Sequence, residues 1–296
     1  MGFKIEDLLR GQDWMDGLAD RIQALVGRAY GAMGSFGPRL KSYAHGTMPL
    51  GHPLHPALTD VPLGAWVVAV IADYAAHFTS AVPTQVGDVA LIVGLVVGLA
   101  AVATGYTDFH ETYGMERRVG LVHGLIMSGV TALMLISVVL RWWGGPGLHP
   151  LAVAVSTVGL VAALGGAYFG GHLVFGFGTM VNRLAFAEGP DDFVEVGASD
   201  DFPENSMRLA DAAGMPVLVV RLEGKLHAIA NSCSHAGGPL NEGQMDAASV
   251  VCPWHGSRFS LIGGRVEGGP ATFDQPLLEV AEAEGRVAVR LLKPLH

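Results

Sequence analysis

Residues 61–82, 86–106, 119–140 and 151–175 form four apolar runs with very few ionisable groups. Each has about the ~20 residues that a helix needs to cross a hydrocarbon core of ~30 Å. They predict an α-helical membrane bundle of four transmembrane helices, within residues 45–186. Ahead of it, Leu18, Ile22, Leu25 and Val26 recur at helical spacing with Asp20, Arg21 and Arg28 interleaved. That pattern predicts an amphipathic helix within an N-terminal segment, 1–44. Such a stripe lies at a membrane surface, lies on the C-terminal domain, or simply packs against another helix. From Asp191 the chain turns acidic, with short alternating runs such as "MPVLVVRLEG" and "GRVAVRLL". These read as β-strands between turn residues, so an all-β domain is expected at 187–296, starting near "AEGPDD". No internal repeat stands out.

Composition strengthens the membrane reading. The chain is 50% hydrophobic and 15% charged, where a soluble protein carries about 25% charged residues. A net charge of −9 and the lack of a basic stripe argue against nucleic acid as a partner. The start is not a signal peptide, since it has no apolar core or small-residue cleavage site. "MGFKIE" also fits the myristoylation pattern poorly, because position 6 is Glu. With four spans, the N-terminus, the 107–118 loop and the C-terminal domain share one side. Arg10, Arg21, Arg28, Arg39, Lys41, Arg117, Arg118 and Arg183 lie there, against only Arg141 in the opposite loops. The positive-inside rule then predicts a multi-pass protein of the cell (inner) membrane with its C-terminal domain in the cytoplasm.

The chain's only two cysteines each precede a histidine, in "NSCSHAGGPL" and "VVCPWHGSRF". Cys233 pairs with His235 and Cys252 with His255. Cys2His2 is a standard zinc set, but zinc-finger spacing pairs Cys with Cys and His with His. One of each per loop suits a [2Fe–2S] cluster with two thiolates on one iron and two imidazoles on the other. Gly237, Gly238, Pro239 and Gly256 suit loops that close tightly and aim backbone N–H groups at cluster sulfurs. No cysteine is left for a disulfide, which suits a reducing compartment.

The stretch "CSHAGGPL…CPWHGSRFSLIGG" resembles the Rieske iron–sulfur family over roughly residues 191–292. The resemblance implies that Cys233 and Cys252 bind one iron and His235 and His255 the other. It also implies an electron carrier with a potential within about −150 to +300 mV. Two departures from respiratory members point to the lower or middle part of that range. No extra cysteine pair bridges the loops, and Phe259 stands where those members carry a Tyr. Ser257 is retained where a hydroxyl can donate to a cluster sulfur. Only four residues follow Leu292, so no mononuclear-iron domain is expected and the chain reads as a redox protein, not itself a Rieske oxygenase. The membrane half, through "HGTMPLGHPLHPALTDVPLGAW", "GYTDFHETYG", "RRVGLVHGL" and "GGAYFGGHLVFGFG", resembles a four-helix membrane family that occurs in bacteria, sometimes fused to a Rieske domain.

His52, His55, His110, His123 and His172 all map to the expected cytoplasmic face of the bundle, with Asp60 and Asp108. Ionisable residues in a membrane bundle are costly and usually functional. His123 and His172 lie deepest, on consecutive helices, and a heme b held between them is one explanation. A non-heme metal with Asp60 or Asp108, or interfacial histidines binding water or lipid head groups, are the others. Gly94 and Gly98 form a G-x-x-x-G expected to serve internal packing. Trp142 and Trp143 read as an interfacial belt. Asp73 and His77, one turn apart, are expected to pair. No phosphate loop, nucleophile elbow or dinucleotide fingerprint is present. The expected function is electron relay between a redox partner protein, the cluster, and a heme or quinone at the bundle. The alternative is a membrane-anchored ferredoxin donating to an oxygenase.

Overall fold

A computed structural model describes residues 5–47 and 50–292; the myristoylation reading at the extreme N-terminus falls largely outside them. The chain forms two compact units, Met1–Gly37 with Leu54–Thr179, and Pro38–Pro53 with Met180–His296. These cuts differ from the ranges expected from sequence: residues 45–53 go with the β-rich unit, and most of the N-terminal segment goes with the helices.

The helical unit opens with α1 (Ile5–Leu9) and α2 (Trp14–Gly31) and continues with α4 (Leu54–Phe78), α5 (Thr84–Phe109), α6 (Gly114–Trp143) and α7 (His149–His172); α3 (Gly37–His45) belongs, but for its first residue, to the other unit. The last four of these helices are long and apolar enough to cross a membrane. α4 starts earlier than its apolar run, at Leu54. Pro56 sits in its first turn, where the missing N–H costs nothing, and Pro62 is carried inside. Pro83 precedes α5, and Pro150 occupies the first turn of α7. A π-helical turn, Leu173–Phe177, and left-handed Gly178 end the last span.

α4 packs chiefly on α5 and α6 on α7, with α5 also against α6 and α4 against α7. α4 and α6 are therefore diagonal partners in the bundle. Trp66, Ala69, Leu91, Leu95, Val130, Met134 and Ala163 fill the centre. Val67, Ile71, Val96, Leu99, Val161 and Leu164 face outward. Gly94 and Gly98 lie under the Trp66 ring, so the G-x-x-x-G serves internal packing.

α2 is the amphipathic helix, and it is a packing helix. Met15 and Ala19 are buried with Phe109 and Leu121, and Leu18 and Ile22 join them. The Gln23 amide donates to the carbonyls of Phe109 and Thr112 at 2.8 and 2.9 Å. Arg118 binds Asp13 and Asp16, and Arg117 binds Asp16 and Asp20. Leu18 and Ile22 of the apolar stripe thus find a protein partner, whereas Leu25 stays exposed.

The β-rich unit holds β1 (Val194–Ala198), β2 (Met207–Ala212), β3 (Met215–Leu222), β4 (Lys225–Ala230), β5 (Gln244–Asp246), β6 (Ser249–Val251), β7 (Arg258–Ser260), β8 (Val266–Gly268), β9 (Leu277–Ala283) and β10 (Arg286–Leu291). The larger sheet runs β1-β10-β9-β4-β3-β2 and the smaller β5-β6-β7-β8, with antiparallel pairing within both. "GRVAVRLL" supplies β10, where one face is buried and the alternation is what burial demands. "MPVLVVRLEG" supplies β3, which is buried on both faces, with Leu218, Val220 and Leu222 in one core cluster and Met215, Val217 and Val219 in the other.

Candidate metal centre

Two loops carry the cysteines and histidines. The first, 231–243, leaves the large sheet after β4 and enters the small sheet at β5. The second, 252–257, joins β6 to β7. Both fold the same way. The Gly237 N–H donates to the Cys233 carbonyl at 2.7 Å, and the Gly256 N–H to the Cys252 carbonyl at 3.1 Å. The Cys233 N–H donates to the Gly238 carbonyl and the Cys252 N–H to the Ser257 carbonyl, each at 2.8 Å. Gly237 and Gly256 have φ of +82° and +73°, a region that glycine enters without a Cβ penalty.

This repeated turn aims backbone N–H groups at sulfur. Those of His235 and Ala236 reach Cys233, and those of Trp254 and His255 reach Cys252. The two thiols are buried and hydrogen-bonded to each other. That bond, aided by the backbone donors, lowers the Cys252 thiol to about 6. The same bond, with burial, pushes the Cys233 thiol up. One proton is thus shared between two sulfurs, because two buried thiolates side by side repel. A cationic iron removes that cost, so the donor set fits an iron–sulfur centre.

The histidines complete the set. The His235 and His255 rings lie with centroids 5.0 Å apart at 84°. Each ring is half-buried, and its Nδ1 is fully buried, so Nδ1 is the nitrogen turned inward. Gly238 lets the loops meet: a Cβ there would stand 3.0 Å from Cys252 Sγ and from the Trp254 ring. Phe259 is fully buried in the core cluster that also holds Cys233 and Cys252. Leu240, pinned by its N–H to the Asn231 carbonyl at 2.8 Å, is buried there too.

A third loop escaped the sequence reading. Residues 269–273 tie the two ligand loops together. Ser257 Oγ accepts from the Ala271 N–H at 3.2 Å, and Ser234 Oγ donates to the Phe273 carbonyl at 2.7 Å. Thr47 backs this loop, its hydroxyl reaching the carbonyls of Gly269 and Ala271 at 2.7 and 2.9 Å. Ser42 Oγ accepts from the Gly269 N–H at 3.2 Å. The small-residue turn "EGGPATF" was the available signal; nothing local to Thr47 announces its role.

The bundle histidines do not converge as expected. His172 bonds Glu6 at 3.0 Å and stacks edge-on against Phe177. His110 faces Glu111 at 3.0 Å and stands over Gly27. His52 belongs to the β-rich unit and meets the Pro53 carbonyl. His123 instead faces His55, with ring centroids 6.1 Å apart. Among the described residues no group of three or more His, Cys, Asp or Glu side chains is placed to hold a metal ion. Asp73 does not pair with His77, which packs on Phe78; it pairs with Arg141.

Comparison with known proteins agrees with the two units. A model described as "Rieske [2Fe-2S] domain" matches residues 192–280, and one described as "Predicted membrane protein (DUF2231)" matches 51–183. Apoptosis-inducing factor 3 of Homo sapiens is 32% identical over 106 residues, 35% of this chain, but the chain spans only 18% of that protein's length. Ferredoxin CarAc of Metapseudomonas resinovorans is 30% identical over 98 residues, 33% of this chain and 92% of the ferredoxin. The solved ferredoxin of carbazole 1,9a-dioxygenase from Nocardioides aromaticivorans IC177 is 28% identical, covering 33% of this chain and 95% of its own, at a TM-score of 0.32. The Rieske domain implies a [2Fe–2S] cluster. The chain belongs to the Rieske [2Fe–2S] family, with its iron–sulfur domain joined in one polypeptide to a predicted membrane protein domain.

Proposed function

We propose that this chain is a membrane-bound one-electron carrier. Cys233 and Cys252 would hold one iron of the cluster and His235 and His255 the other. The observation that carries this is the pair of matching turns, which aim two N–H groups at each buried sulfur and turn both Nδ1 atoms inward. When bound, the cluster supplies one reversible electron. The polypeptide sets how readily that electron is accepted, through N–H groups at sulfur and the Ser257 hydroxyl. Ala236, Gly237, Pro253, Trp254 and Gly256 lie around the half-buried imidazoles and form the rim that a redox partner would approach.

In this reading the four helices sit in the cell membrane among lipid, with the cluster on the cytoplasmic side. Electrons pass between a soluble partner, the cluster, and a heme or quinone at the histidine-bearing end of the bundle. The second reading uses the bundle as an anchor and sends the electron to an oxygenase. The 30% identity to ferredoxin CarAc favours it.

The test uses full-length protein in lipid vesicles. Iron and acid-labile sulfide are expected in equal amounts, with a Rieske-type paramagnetic signal on reduction that Cys252→Ser abolishes. Reoxidation of the cluster by a quinone analogue, or by a pigment within the bundle, supports the relay. Reoxidation only by an added oxygenase supports the anchor reading. Stoichiometric zinc in place of iron overturns both.

A further inference from the structure

The two helical hairpins of the membrane unit are copies of one design. "VGLVVGLAAVATG" (93–105) on α5 and "VGLVAALGGAYFG" (158–170) on α7 are identical at six of thirteen positions. Equivalent positions do equivalent work. Trp66 of α4 lies over Gly94, and Met134 of α6 lies over Gly159. His55 Nδ1 is 2.8 Å from the Ala101 carbonyl, and His123 Nδ1 is 2.8 Å from the Gly166 carbonyl. The His55 ring rests on Gly105 and the His123 ring on Gly170, where a Cβ would stand 2.8 and 3.0 Å from the imidazole. Ala101 and Gly166, like Gly105 and Gly170, are the same positions of the repeat. Asp73 and Arg141, again equivalent, bond to each other. The pairs relate the hairpins by a pseudo-two-fold axis running along the bundle.

His55 and His123 meet across that axis. They come from the diagonal helices α4 and α6, and their ring centroids are 6.1 Å apart at 79°. A carbonyl only accepts, so each Nδ1 is the donor, which leaves Nε2 as the nitrogen available to a metal. An imidazole whose other nitrogen donates to a backbone carbonyl is the usual arrangement of a metal-binding histidine. Two imidazoles on opposite sides of one metal, each at ~2.0–2.1 Å, place their ring centroids about 6 Å apart.

We propose that His55 and His123 form a two-imidazole site for one metal centre on the pseudo-two-fold axis. The proposal deepens the reading of the bundle as a redox partner of the cluster and rests on it for its purpose, not for its geometry. An ion that needs three or more of these side chains is not served, since among the described residues no such group occurs. The chemistry suits a metal that asks two donors of the protein: the iron of a heme, which brings four of its own, or a linear cuprous ion.

The experiment reads metal and pigment directly. Full-length protein, purified in mild detergent after expression with ample heme precursor and copper, is assayed for heme and copper per chain. One heme with a six-coordinate low-spin spectrum, or one cuprous ion, is the expected result. His55→Ala and His123→Ala should each lower it at least tenfold, while His172→Ala and His110→Ala leave it intact. His123→Gly should regain the centre on addition of imidazole, which separates lost ligation from lost folding. The Rieske-type signal should persist in all of these variants. Absence of both heme and copper after loading, or retention in the His55→Ala, His123→Ala double variant, overturns the site. A centre that binds as expected yet never exchanges electrons with the cluster upholds the site and overturns the relay.

Discussion

At Gly238 the two cysteine-bearing loops meet, and its neighbour Gly237 provides an internal control. Gly237 has φ +82° with open space where a Cβ would go, whereas Gly238 faces Cys252 Sγ and the Trp254 ring. Gly237→Ala should therefore cost backbone strain alone, ~1–2 kcal/mol, and keep the cluster. Gly238→Ala should push Cys252 from its place and lower cluster content or shift the paramagnetic signal. Iron, sulfide and spectra of both variants check this, and a Gly238→Ala protein matching the wild type in all three would contradict it. The proposed ligand residues and these glycines could be picked out because iron–sulfur chemistry would confine them to a few consecutive positions. Ser234 and Thr47 were not, since each acts on residues 39 and 222 or more positions away.

Between the hairpins, Arg141 is the clearest case of one element holding another. Its side chain is only 2% exposed; it bonds Asp73 of α4 at 2.9 Å and Asp88 of α5 at 2.8 Å. Removing one partner of a buried ion pair strands the other charge and costs about 3–5 kcal/mol. Arg141→Met should destabilise the bundle by that order in detergent unfolding. Adding Asp73→Leu and Asp88→Asn should recover most of it, because apolar replacements of a whole buried network are often neutral. Failure of the triple variant to recover would show that the ions also direct how the hairpins pair. The sequence pointed Asp73 to His77, its neighbour one turn on. Local spacing could not see that the repeat places a guanidinium opposite.

For the whole molecule, the distribution of charge predicts the side on which the cluster would sit. The rule counts Lys and Arg, not net charge, so Arg117 and Arg118 still count although Asp13, Asp16 and Asp20 engage them. A reporter active only in the cytoplasm should work when fused after His296, which lies outside the described residues. The same reporter should fail when inserted at 144–147, between α6 and α7. The reverse pattern would place the cluster outside the cytoplasm.

Four spans, an all-β domain and a Cys-His pair on each of two loops were all present in the linear pattern. A bilayer dictates helix length, a half-buried sheet dictates alternation, and an iron–sulfur cluster dictates ligand type and spacing. Partners across the bundle were decided only by the tertiary structure. Each span is apolar nearly all round, so its sequence carries little signal for which face turns inward. Depth along the helix could be read, and it put His55, His110, His123 and His172 near one end. Rotation could not, and rotation is what turns His123 toward His55 and leaves His172 with Glu6. The same gap hid the repeat, which shows as thirteen weakly similar residues in sequence and as matched histidine, glycine and carbonyl positions once the helices are packed.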